Sequence, residues 1–227
     1  LNNTPNGRVP IPTLERLATY LRFLIDLEHN HVETISSAEV EAETGINAAQ
    51  FRKDLSYFGE FGKPGVGYNV ADLQRRIARI LKIDREQKVV LVGAGNLGSA
   101  LVGYPGLKEQ RFNLVAVFDN NYAKIGRYLW DLEILDIARI KEVNAVLGAR
   151  IGIIAVPRSA AQSVAEQLMD ADVKAILNFA PTILRLPDGV VVRNVSFVQE
   201  LAVLSYHLSE TLENGEDWGP PEAKATG

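Results

Sequence analysis

The stretch Lys88-Val-Val-Leu-Val-Gly93-Ala-Gly-Asn-Leu-Gly98 constrains the fold more than any other part of this 227-residue chain. An apolar run that breaks into G-x-G-x-x-G and continues as a helical pattern is a buried strand turning tightly into a helix. The next strand, Leu114-Val-Ala-Val-Phe118, ends on Asp119, 21 residues after Gly98. The hexapeptide alone is common by chance, but strand, turn, helix and following acid together make the pattern of a dinucleotide site. In the turn Gly93, Ala94, Gly95, Asn96, Leu97, Gly98, the first glycine permits the sharp bend and the second lets backbone approach a pyrophosphate. The third lets helix and strand pack closely, and the helix N-terminus offers unpaired N–H groups. Asp119 is placed to accept hydrogen bonds from an adenosine ribose, and its charge repels a 2′-phosphate, which favours NAD(H) over NADP(H).

Downstream, strands at 89–92, 113–118, 151–155, 175–177 and 190–192 alternate with helices from about 97, around 136–143 and over 159–169. This alternation predicts an α/β domain over 86–195, a mostly parallel Rossmann-type sheet covered on both faces. Ala155-Val-Pro-Arg158 and Asn178-Phe-Ala-Pro181 each follow a strand, at the carboxyl edge where ligands bind in such folds. Val156, Pro157, Asn178 and Ala180 are therefore candidates to line a nicotinamide half; prolines at those places also serve simply to end strands. A last helix, over 196–213, carries Phe197, Leu201, Leu204 and Leu208 on one stripe and Val198, Ala202, Val203 and Tyr206 elsewhere. Apolar on more than one face, it predicts insertion between subunits.

The N-terminal part, 1–85, is segregated by charge. Residues 26–49 hold six acids and no Lys or Arg, whereas 50–85 hold eight Lys or Arg against four acids. Thr13 is expected to cap a first helix after Pro12, Ser36 or Ser37 a short second one closed by Gly45, and Asn47 a third over 48–58. Helix, short helix, glycine turn and helix is the helix-turn-helix plan. The glycine-punctuated run 59–69 then suits a small β hairpin, a wing, before a helix over 70–83. Phe51, Leu55 and Phe58 share one face of the third helix, while Gln50, Lys53 and Tyr57 project from another. Arg and Lys suit guanine edges and phosphates, and Gln suits adenine. The candidate DNA contacts are Gln50, Arg52, Lys53, Ser56 and Tyr57, with Lys63 from the wing. Arg75, Arg76, Arg79 and Lys82 extend the positive face. The net charge of −4 thus averages an acidic stretch facing away from DNA and a basic one facing it.

With no cysteine, the chain has no thiolate nucleophile, disulfide or thiol switch; three histidines leave little for metal, and no metal or catalytic residue is assigned. No apolar run reaches the roughly 18 residues needed to cross a bilayer, and the polar start is not signal-like, so a cytoplasmic location is expected. Leu at position 1 is read as a chain that begins inside a longer one, and 214–227 as a disordered tail. Two other functions fit the same pattern. One is a small NAD-dependent oxidoreductase whose N-terminal domain only dimerises, although too few residues follow the nucleotide fold for a substrate domain. The other is a DNA-binding protein whose nucleotide domain serves dimerisation or another nucleotide such as coenzyme A.

Arg52-Lys-Asp-Leu-Ser-Tyr-Phe-Gly59, Gly65-Val-Gly-Tyr68, Gly93-Ala-Gly-Asn-Leu-Gly98, Tyr104-Pro-Gly106 and Asn178-Phe-Ala-Pro181 resemble, in order, motifs of the Rex family of redox-sensing transcriptional repressors. The resemblance runs from about 9 to 207. It implies a homodimer whose winged-helix domains hold a palindromic operator, whose Rossmann domains bind NADH or NAD+, and whose C-terminal helices are exchanged between subunits. It also implies that NADH weakens DNA binding while NAD+ permits it. By position, Arg52 and Lys53 would touch DNA, Gly93 to Gly98 and Asp119 would hold adenosine and pyrophosphate, and Tyr104 would lie near the cofactor. Phe197 would sit beside the partner's nicotinamide. Arg22 and Tyr104 match positions that engage a C-terminal acid as the dimer changes state; here that acid's place is taken by Ser196.

Overall fold

The computed structural model describes residues 9–63 and 65–213, so the expected disordered tail and the wing residue Pro64 lie outside the described residues. The chain forms two compact units, Leu1–Gln87 with Gly106–Phe112, and Lys88–Pro105 with Asn113–Gly227.

The first unit opens with α1 (Ile11–His29), which begins two residues before the expected cap. Its N-cap is Pro10, and Pro12 sits in the first turn, where a missing N–H costs nothing because those groups have no helical partner anyway. Thr13 is buried in α1 and turns its hydroxyl inward instead of capping. Leu17, Tyr20, Leu21 and Leu24 follow the helical period and form the buried face. Then come β1 (Thr34–Ile35), α2 (Ser37–Thr44) and α3 (Ala48–Ser56). Ser36 and Glu39 make a reciprocal capping box on α2, Gly45 ends it at φ +70°, and Asn47 caps α3 through the Ala49 N–H. Phe51 of α3 is fully buried, edge-on to Tyr20 at 4.8 Å and to Tyr68 at 5.2 Å.

The wing is built differently from a free-standing hairpin. Lys63 and Gly67 make one antiparallel bridge, but the outgoing strand β2 (Tyr68–Asn69) pairs with β1, Ile35 opposite Tyr68 and Thr34 opposite Asn69. Gly67, at φ +89°, is needed here: a Cβ would lie 2.6 Å from the Ile35 carbonyl. Asn69 then caps α4 (Val70–Ile80), which ends three residues before the expected boundary and packs on α1.

The second unit is a seven-stranded sheet in the order β5-β6-β4-β3-β7-β8-β9. Its strands are β3 (Gln87–Val92), β4 (Phe112–Asp119), β5 (Tyr128–Leu129), β6 (Leu132–Asp136), β7 (Ile151–Ile154), β8 (Ala175–Asn178) and β9 (Val191–Asn194). The pairs β4/β6, β3/β7, β7/β8 and β8/β9 are parallel, and β5 returns antiparallel along β6. Helices α5 (Asn96–Val102), α7 (Ile140–Leu147), α8 (Arg158–Asp170) and α9 (Phe197–Glu213) belong to this unit, while α6 (Pro105–Glu109) falls almost wholly in the first. The β5–β6 hairpin and α6 are additional to the sequence reading. The helix expected around 136–143 begins as a short 3-10 turn capped by Asp136 and becomes α7 only at Ile140. Val90, Val92, Phe118, Ile154, Leu168 and Ile176 share one apolar core. Strand order reverses at β3, with β4 on one side and β7 on the other, so their carboxyl ends open a crevice.

Candidate functional site

A cleft of about 630 Å3 occupies that crevice. Two of the three glycines in the turn that floors it, Gly93 and Gly98, are required on steric grounds. Gly93 adopts φ +106°, and a Cβ there would strike the Ala155 carbonyl; a Cβ on Gly98 would fall on the Gly93 carbonyl. At Gly95, by contrast, nothing lies within 4 Å of where a Cβ would stand, so the backbone there faces open space. Gly93, Gly95, Asp119, Val156 and Pro157 all line the cleft.

Asp119, 8% exposed at the end of β4, anchors the loops around it. One carboxylate oxygen accepts the Ala94 N–H at 2.8 Å and the Lys124 ammonium at 3.1 Å, and the other accepts the Asn121 N–H at 2.9 Å. Burial pushes this carboxyl up, but the hydrogen bonds from Asn121, Ala94 and Lys124 outweigh it and hold it below the ordinary aspartate value. The side chain is therefore ionised at neutral pH and ion-paired on one side. Lys124 lines the cleft, as do Ser159, Ser163 and Gln167 of α8. None of these four carried a motif in the sequence.

Other expected contacts lie elsewhere. Ala94 is buried with its N–H spent on Asp119, Asn96 and Leu97 face solvent, and Gly98 is buried under the turn. Asn178 has no exposed surface: its amide nitrogen donates to the Ala180 and Thr182 carbonyls and to Asn194, and its oxygen accepts the Ala180 N–H. That geometry ties down the loop after β8, Ala180 with it, and leaves the amide no group for a ligand. Tyr104 and Phe197 are exposed and outside the cleft lining, with the Phe197 ring 6.4 Å from that of Phe179. Ser196 caps α9 by accepting the Gln199 N–H, and Arg22 is exposed on α1.

In the first unit, α3 exposes Arg52, Lys53 and Ser56, with Tyr57 half-buried and Lys63 exposed on the wing. Arg52 donates to the Ser37 hydroxyl at 2.7 Å, and the Ser56 hydroxyl donates to the Lys53 carbonyl at 2.7 Å. Ser37, Arg52, Lys63 and Tyr68 border a groove of about 560 Å3 between wing and helices. A larger hollow in the same unit, about 750 Å3, is lined by charges of both signs, Arg75 and Arg79 of α4 among them, and by none of the candidate DNA contacts on α3 and the wing. Arg76 stacks on Phe61 at 3.8 Å and Arg75 pairs with Asp72, so part of the positive stripe on α4 is engaged locally.

Beneath α3 lies a group to which the sequence reading gave no role. The Asp54 carboxylate, fully buried, accepts from Thr13 (3.2 Å), from two nitrogens of Arg16 (2.6 and 2.7 Å), from the Tyr20 hydroxyl (3.0 Å) and from the Gln50 amide (2.8 Å). Desolvation raises the Asp54 pKa, but the hydrogen bonds from Arg16, Gln50 and Tyr20 overcome it and hold the group below its usual range. Burial and the same carboxylate push the Tyr20 hydroxyl up.

A family model described as "CoA binding domain" matches residues 84–182, and one described as "Putative DNA-binding protein N-terminus" matches 8–56. The redox-sensing transcriptional repressor Rex of Pelotomaculum thermopropionicum is 48% identical over 201 residues, 88% of this chain and 94% of its own length. The chain belongs to the Rex family. Rex of Carboxydothermus hydrogenoformans is 47% identical over 88% of the chain and 97% of its own length. Among solved structures, the Rex-family repressor RSP in complex with beta-NAD+ and operator DNA superposes with a TM-score of 0.85 at 36% identity, covering 93% of this chain and all of that one. RSP in complex with beta-NADH gives 0.83 at 35% identity, over 93% and 98%. Rex proteins are transcriptional repressors, so membership replaces the oxidoreductase reading. No helix among the described residues is long and apolar enough to cross a membrane.

Proposed function

We propose that this chain represses transcription in the cytoplasm as a homodimer whose two helix-turn-helix units hold a palindromic operator, and that it reads the NADH/NAD+ balance through the cleft beside Asp119. NADH closes the dimer and releases the operator; NAD+ permits binding. The observation that carries this reading is the likeness, along 93% of the chain, to RSP, a repressor solved in complex with beta-NAD+ and operator DNA. The cleft geometry supports it, with open space over Gly95 for a pyrophosphate and an ionised carboxylate at Asp119 for a ribose. Arg52, Lys53 and Lys63 supply the cations that a phosphate backbone requires.

Exchange of C-terminal helices is supported by α9, where Phe197, Val198, Leu201, Leu204, Tyr206 and Leu208 are all more than half exposed. Apolar surface on that scale requires a partner. Ser196 offers Arg22 no charge, so in the closed state either another acid takes the place of the family's or that lock is weaker. The linkage is simple: NADH shifts the dimer only by its preference for the closed form, and a tenfold preference is worth about 1.4 kcal/mol. Closure moves the recognition helices off the half-site spacing of roughly 34–36 Å.

The test is a gel-shift titration on an operator selected from random DNA, with and without NADH. Operator affinity unchanged at saturating NADH refutes the sensor. Calorimetry with NADH, NAD+ and coenzyme A identifies the ligand independently of DNA.

A further inference from the structure

We propose that Asp54 is a positioning residue for base reading: it orients the side-chain amide of Gln50 so that the amide oxygen, rather than the nitrogen, faces the operator. The inference rests on the DNA-binding reading above and assigns chemistry to one position of it. Gln50 and Asp54 stand four residues apart on α3, the spacing at which helical side chains meet. Gln50 Nε2 donates to Asp54 Oδ1 at 2.8 Å.

An ionised carboxylate has no proton to give, so only the nitrogen end of a glutamine amide can face it. Thr13, Arg16 and Tyr20, all on α1, fix the carboxylate from behind. Asp54 is therefore held in place, and Gln50 adds a fifth hydrogen bond to it, sharing Oδ1 with Thr13 and Arg16. No hydrogen bond to the Gln50 oxygen is found within the described residues, and no buried side-chain polar atom among them lacks a partner, so on this half-buried residue that oxygen keeps some access to solvent.

A glutamine without such a brace turns over freely and offers a donor or an acceptor to whichever base edge it meets. Held as it is here, Gln50 presents an acceptor flanked by its second N–H. That pair complements the N6 amino group and N7 of adenine in the major groove; guanine and thymine present acceptors where the amino group should be. Asp54 thus converts an ambidextrous side chain into a reader of a base amino group.

The experiment uses the full chain and the operator it selects from random DNA, measuring affinity for operators substituted at each base pair. Gln50→Ala should reduce discrimination at one adenine of each half-site by about 5- to 150-fold, the range of one bidentate contact, and leave the other positions as they were. Asp54→Asn, with Gln50 intact, should lose discrimination at that same position. The double variant should lose no more. Wild-type protein should bind about tenfold less tightly when that adenine is replaced by purine, which lacks only the amino group; this arm decides the matter even where Asp54→Asn does not fold. A folded Asp54→Asn that keeps the preference, a loss spread evenly over all positions, or purine bound as well as adenine each overturns the proposal. A wild-type chain that selects no sequence overturns the DNA-binding reading itself.

Discussion

Replacing Asp119 by Asn should exchange one cofactor preference for the other, and the size of the effect follows from the contacts of a single carboxylate. A carboxylate has about four lone-pair positions. Three are filled, by the Ala94 and Asn121 N–H groups and the Lys124 ammonium. One is left for a ribose hydroxyl, and a hydrogen bond to a charged group contributes about 1.5–3 kcal/mol, so its loss should weaken NADH by about tenfold or more. The same substitution leaves the Lys124 charge without its counterion. A 2′-phosphate about 4 Å from that ammonium gains up to about 4 kcal/mol at the effective dielectric of a protein surface. Lys124 is about one-third exposed, so solvent screens this; we expect about a tenfold gain in NADPH affinity, near 1.4 kcal/mol. The NADH/NADPH affinity ratio should therefore move by about a hundredfold. Fluorescence titration of both nucleotides measures it, and Lys124→Ala in the Asp119→Asn background should remove the NADPH gain. An unchanged ratio in Asp119→Asn refutes the role given to this carboxylate. Asn is the better substitution because Ala would strand the buried Ala94 N–H and confound binding with loop collapse.

Lys53→Ala should weaken operator binding and lower the slope of log affinity against log salt by about one, with NADH affinity intact; equal loss of both would mean the two units are misassigned. Gly98→Ala would drive a methyl onto the Gly93 carbonyl, which should cost about 1–3 kcal/mol of thermal stability and abolish NADH binding, and a well-folded variant with normal affinity would contradict the packing described. Because the Asp54 carboxyl is held below its ordinary 3.8, its stabilisation is complete above that value and is lost as pH falls through the lowered one. Acid unfolding of wild type followed by circular dichroism should therefore be steeper below about pH 4 than that of Asp54→Asn, and parallel curves would show that the pair with Arg16 contributes nothing.

Much of this was legible without coordinates because local chemistry and tertiary fold agree. Ser36, Gly45, Asn47, Gly93 and Gly98 each satisfy a backbone requirement that leaves its mark in the sequence. The reading failed where a requirement is met by an unmarked residue. Trp130 takes φ +57° between β5 and β6, a place where glycine or asparagine would have announced a turn, so the hairpin went unseen. Thr13 resembles a cap, yet Pro10 already stands at the N-cap, Pro12 suits the first turn, and the hydroxyl is drawn to Asp54. Asp54 and Lys124 were missed for one reason: an acid in a basic helix and a lysine in a polar loop look like solvated charges. Only the partners brought to them by other elements give them work.

The two-residue ladder between β1 and β2 has a topological consequence. By joining Thr34 to Asn69 it closes the chain into a ring that contains α2, α3 and the wing. The entropy of holding two distant ends together is charged once, for the whole reading head, and grows only slowly with ring size. Helices and wing then form one cooperative body instead of a helix pair with an appendage. A single protease cut in the glycine run after α3 would open the ring while leaving the side chains of α3 chemically intact and α3 itself still held to α1 through Phe51 and Asp54.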